Sequence, residues 1–548
     1  MLHIAVLVVL LTACDPAGTP AQRPSTSPAA TASPTTGEPA GATLRWALRE
    51  PAAIVPSAVV DDAGLLIVDT LFDSLTSVAG NGTVLPSAAS RWDHAENGRR
   101  WRFTLRDNAR FSDGAPVTAQ DFVAAWSMVV REGRTGAHLQ DVVGYRKVRN
   151  GSALQLSGVQ ALDDATLEVR LQRPNMEFPA IAAHPSLGPV PTGALREGDA
   201  FAAQPVGNGP YQMVEPWARR QFIRVARAAH WANGPSESSA ERVGEILFRT
   251  IDPDAAYVGF QQGRIDVAPV PGGALEQARR TYGDAVAGQG PGVVDAPEPS
   301  LYFLGMRTDQ PPWNDVELRR ALSRAIDRQA IVDAQPDQHL DVARAIVSPV
   351  LPDAGDAFCD SCLHLPSLAE DAFAQADVTD LTLSYDDGGG HEPIVERLQR
   401  DLAEVGVALQ VQALPFDDYL RALEDSKLVL YRFGWEAQYP SAGAMLEPLL
   451  RSGAPTEAGD GANYGGYTSQ EVDHLLDAAR QTEQGEERQA LWTEAETVAL
   501  REQAIVPLFT FRLRTVISAR VENLTLTPWG TATPEQARII ADPEIVDD

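Results

Sequence analysis

Residues 101–126 read WRFTLRDNARFSDGAPVTAQDFVAAW. The opening six residues alternate: Trp101, Phe103 and Leu105 are apolar, while Arg102, Thr104 and Arg106 are polar. A period of two marks a strand with one buried face. Phe111-Ser112-Asp113-Gly114-Ala115-Pro116 is a turn by composition. Thr118 then precedes Asp121 in the outline of a capping box, opening a helix whose apolar face is Phe122, Val123 and Trp126. Strand, turn and capped helix follow one another within this single stretch. The same alternation recurs along the chain. Thr43–Leu48 and Leu381–Tyr385 read as strands, and Gly64–Leu75 and Val316–Val332 as amphipathic helices. The fold class expected is α/β, arranged in lobes.

The chain has 548 residues, beyond the roughly 250–300 that one hydrophobic core serves, so two or more domains are expected. A formal net charge of −29 argues against nucleic acid as a partner. The basic residues are nearly all Arg; Lys147 and Lys427 are the lysines. Ile4–Leu11 is a short apolar run ending in Leu11-Thr12-Ala13-Cys14, which reads as an export signal too short to span a membrane. Residues 15–42 are rich in Pro, Ser, Thr, Ala and Gly and cannot offset the entropy of folding, so they read as a tether. No Gly-x-Ser-x-Gly elbow, His-Glu-x-x-His or Gly-x-x-x-x-Gly-Lys occurs, and His391-Glu392 lacks a second histidine. No enzyme activity, metal or cofactor is expected.

The stretch 101–126 resembles the signature of the family 5 extracellular solute-binding proteins, the oligopeptide- and dipeptide-binding components of ABC importers. Further segments fall in the family's order: Val206-Gly207-Asn208-Gly209-Pro210-Tyr211, Gly263-Arg264-Ile265-Asp266, Pro311–Arg328 and Asn463–Asp473. The resemblance implies a two-lobe periplasmic-binding-protein fold of class II type with a domain inserted in the first lobe. Mapped here, 1–13 is a lipoprotein signal peptide and 14–42 the lipid anchor and linker. Lobe one is 43–85 with 204–300 and 512–548, the insertion 86–203, and lobe two 301–511. Leu-Thr-Ala-Cys resembles a lipobox, which implies that Cys14 carries lipid. The leading Met1-Leu2-His3 departs from that pattern in lacking Lys or Arg. The implied partners are a peptide or other small solute and an ABC permease with its ATPase. The membrane is met through the lipid alone, outside the cell, by a monomer. A sensory role or a non-peptide solute is the alternative.

Tyr431–Pro440 (YRFGWEAQYP) supplies the candidate ligand wall. Flat aromatics and an arginine just past a short strand suit a cleft better than a core. The stretch resembles the family's Arg-x-Gly-Trp-x-Ala-Asp-Tyr segment, whose aspartate pairs with the ligand ammonium. Arg432, Gly434, Trp435, Ala437 and Tyr439 match; Gln438 stands where the aspartate would, supplying no charge. Glu436 shares its face in an extended chain and is the substitute acid. Tyr302, in the crossover strand, faces either cleft or core. Cys359 and Cys362 read as a structural disulfide in a surface loop.

Overall fold

The computed structural model describes residues 42–194, 198–233, 242–286, 288–335, 340–453 and 461–540. Cys14 and the tether lie outside them. Twelve strands form one sheet. From one edge run Ala408–Leu414, Asp380–Asp386, Leu430–Glu436 and Ser300–Met306; then comes the long strand Ile505–Ile517. Beyond it lie Val267–Pro269, Ala42–Leu48, Val243–Thr250, Phe222–Arg227 and Tyr211–Met213. The long strand belongs to both halves. Its first part pairs antiparallel with Ser300–Met306, and its second with Gly292–Pro297. Those two partners are consecutive in the chain, so the halves are joined by adjacent strands that meet where Glu298 N–H donates to Phe511 O at 2.9 Å.

The stretch 101–126 lies in a separate four-stranded sheet ordered Ala89–Ala95, Arg100–Leu105, Thr166–Arg170, Val159–Ala161. Trp101, Phe103 and Leu105 are buried, as their alternation requires. The helix Ala119–Glu132 begins at the capping pair, where Asp121 accepts from Thr118 N–H at 2.9 Å. Trp126 is fully buried, and its indole donates to Leu187 O at 2.8 Å, so its one polar atom is satisfied.

Three local expectations need correction. The short strand expected at Leu428–Tyr431 instead spans Leu430–Glu436, paired along its length with Ser300–Met306. Val316–Val332 is two helices, Val316–Ala325 and Arg328–Asp333. Asp327 breaks it by capping the second helix, accepting from Ala330 N–H at 3.1 Å. The break turns the buried Arg328 inward, where it donates to Pro507 O at 2.7 Å, Ser323 O at 2.9 Å and Cys362 O at 3.0 Å. Cys359 and Cys362 are disulfide-bonded, but in the core instead of on the surface: both are buried.

Candidate functional site

A cavity of about 690 Å³ opens between the two halves of the molecule. Its size lies within the roughly 300–1,000 Å³ usual for ligand sites. One wall comes from the helix Asp62–Leu71 and the chain after it, another from residues 525–536, and a third from Glu436–Pro440. The helix is held at its start by Asp61, which accepts from Gly64 N–H at 2.9 Å. Leu65, Asp69 and, past the helix end, Asp73 face the cavity at fourfold spacing.

The sequence-expected residues divide. Glu436, Gln438 and Tyr439 line the cavity, and Gln438 donates from Nε2 to Glu436 O at 3.0 Å. Tyr439 also reaches across the molecule, its hydroxyl 3.5 Å from Glu177 Oε2. Alternation along the strand turns Trp435 to the face opposite Glu436, while Arg432, Gly434 and Tyr302 lie further back in the sheet, away from the cavity. Trp435 packs on the core around Trp492 and donates from Nε1 to Ala444 O at 2.8 Å. Arg432 is ion-paired with Asp386 and lies against the rings of Tyr302 and Tyr419. Tyr302 is in the core, stacked on Phe509 at 4.5 Å, with its hydroxyl 3.2 Å from His391 Nδ1. Gly434 is half-buried beside Leu301. None of these four borders the cavity.

Asp69, Asp73 and Glu535 are cavity residues that sequence reasoning missed. A signal for two of them was present in Val206–Tyr211. The Gly207 backbone lies so close to Leu71 that an added Cβ would sit 1.9 Å from its carbonyl oxygen. That approach lets Asn208 bracket Asp73, accepting from its N–H and donating to its C=O, both at 3.0 Å. Tyr211 donates its hydroxyl toward Val243 O and Pro534 O, each at 3.0 Å, and so steadies the turn bearing Glu535. Asp266, from the Gly-x-Ile-Asp segment, has a different task. It is fully buried and takes Arg45 Nε and Nη2 at 2.8 and 2.6 Å.

The family model of the bacterial extracellular solute-binding proteins, family 5, matches residues 83–457. The chain belongs to this family. It is 25% identical over 485 residues to a probable deoxycholate-binding periplasmic protein of Escherichia coli, covering 84% of this chain and 86% of that protein. It is 24% identical over 503 residues to a dipeptide-binding protein of Bacillus subtilis, with 88% and 89% covered. The solved structure of the Escherichia coli murein tripeptide binding protein superposes with a TM-score of 0.70 at 23% identity, over 91% of this chain and 98% of that one. The fold of this family 5 protein is therefore the two-lobe solute-binding fold.

The electrostatics of the cleft are one-sided. Burial pushes the Asp73 carboxyl up to about 6, against hydrogen bonds from Trp231 and Asn233 that draw it down. Burial also raises Glu535 to about 7, with Asp73 adding to the effect. Asp69 is raised well above the carboxylate range by burial, then by Glu535 and Asp73. Glu436 is open to the cavity but ringed by protein; that desolvation, followed by repulsion from Asp62 and Glu298, carries it to about 8. Among the described residues no helix is long and apolar enough to cross a membrane.

Proposed function

We propose that this protein captures a short peptide in the interlobe cleft and hands it to the permease of an ABC importer. The observation that carries the proposal is the cavity walled by Asp69–Asp73, Glu436–Pro440 and residues 525–536, in a family of solute-binding proteins. The dipeptides and murein tripeptides in the names of its relatives support a peptide of few residues. Lobe one would be 43–85, 204–300 and 512–548, the insertion 86–203, and lobe two 301–511; the separate sheet at 89–170 supports the insertion. Ligand would favour closure by the contacts it gains from the second lobe, about a hinge near Glu298 and Phe511. Lipid on Cys14 would hold the protein at the outer face of the membrane.

Mass spectrometry of the solute that co-purifies with the protein tests the ligand class. A peptide is expected; a sterol or sugar alone would replace the peptide reading with that of a receptor for another solute. Fractionation of Cys14→Ser tests the anchor. The variant should leave the membrane for the medium, and unchanged membrane attachment would refute lipidation.

A further inference from the structure

Arginine neutralises buried carboxylates through much of this molecule. Asp266 is met by Arg45 and Arg520, Glu168 by Arg102 and Arg170, Asp295 by Arg279, Arg512 and Arg514, and Asp141 by Arg173 and Arg480. This is the usual solution, because an unpaired charge away from water is costly. The cleft breaks the pattern. Asp69, Asp73, Glu436 and Glu535 line it, and no Lys or Arg does among the described residues. The partners of Asp73 are neutral: Trp231 Nε1 and Asn233 Nδ2, both at 2.9 Å, with Ser87 beside them. Glu535 takes Gln536 Nε2 at 3.2 Å. Asp69 meets the backbone of Ala532. Arg106 and Arg227 do not line the cavity; Arg227 reaches Glu535 from behind the wall, donating from Nη2 to its backbone O at 3.3 Å.

The counter-charge is thus left for something that enters. Two further observations narrow it. Aromatic rings stand among the acids: Trp231 donates its in-plane Nε1–H to Asp73, and Trp529 and Tyr439 lie further along the wall; the faces of such rings attract organic cations. Among the described residues no three acidic, His or Cys groups are arranged to hold a metal ion. We propose that the cleft selects peptides carrying positive charge, with an ammonium or guanidinium group seated among Asp69, Asp73 and Glu535 against Trp231. This rests on the cleft being the ligand site. It also answers the neutral Gln438: the acids sit on the opposite lobe, so the ligand's cation is anchored there.

Calorimetry of the full chain with Lys-Lys-Lys, Ala-Ala-Ala and Glu-Glu-Glu, all with free termini, tests it. Tri-lysine should bind at least tenfold more tightly than tri-alanine, and tri-glutamate most weakly. The preference should shrink severalfold in Asp73→Asn and at high salt. Glu436→Gln, at an accessible position, should shrink it too and guards against a folding defect in the first variant. Equal affinity for the three peptides, or a preference for tri-glutamate, overturns the charge selection and leaves the cleft as the site. Tri-lysine binding that neither variant alters overturns the cleft reading itself. If none of the three binds, the proposal is also overturned.

Discussion

Trp435 shows how one residue's role follows from which side of a strand it takes. Strand direction puts Glu436 at the cavity and Trp435 on the core around Trp492. Trp435→Ala should therefore act on stability first. Losing a half-buried indole and its bond to Ala444 should cost roughly 2–3 kcal/mol, at or below the lower end of the range for a fully buried tryptophan. Urea denaturation measures that cost, and ligand affinity should change less than threefold. The sequence made Trp435 a ligand contact because aromatic type and family position were visible while the facing was not. Gln438 and Tyr439 lie past the strand end, where the chain turns to the cavity.

Among elements, local signals were legible and assembled ones were not. Trp101–Leu105 and the Thr118–Asp121 cap were read from a few neighbouring residues because their physics is confined to those neighbours. The acids at 69, 73, 436 and 535 are scattered in sequence, and only tertiary structure brings them to one cavity. The break at Asp327 escaped notice for a related reason: Asp327 N–H is drawn to Asp401 Oδ2 at 3.0 Å, a partner remote in sequence. The Val206–Tyr211 segment offers the sharpest element-scale test. Asn208→Ala removes both bonds to the Asp73 backbone, a loss of about 1–3 kcal/mol for buried polar groups left unmatched. It should also weaken tri-lysine more than tri-alanine, since Asp73 loses its fixed position. Equal weakening of both peptides would mean that Asn208 supports the fold alone.

At the scale of the whole molecule, acids raised by burial couple stability to pH. Glu535, Glu298 and Glu436 hold their protons up to about 7, 7 and 8 when folded. An unfolded glutamate releases its proton near 4.5. The folded state thus binds more protons across that window, and stability falls as pH rises through it. Buried His138 and His184 act oppositely, since burial lowers them from 6.5; their effect is complete by about pH 6.5. Asp141 and Glu447, lowered chiefly by Arg480 against burial that raises them, matter only at acid pH. Above about pH 6.5 the carboxyls are left to dominate. The melting temperature of the ligand-free protein should fall between about pH 6.5 and 8. A saturating cationic peptide should flatten the slope; a scan with no fall would refute the account.

The strand Ile505–Ile517 carries one more consequence, in the order of synthesis. It pairs with strands at 267–269, 292–297, 300–305 and 340–342. Until the last part of the chain exists, the large sheet has a gap at its centre and neither half can close. Pairings this distant in sequence also form slowly, because the intervening loop must be closed first. The four-stranded sheet at 89–170 is under no such constraint. A growing chain of this family is thus kept from closing its large sheet until its last part has been made, so that the fold is acquired only after synthesis is all but over.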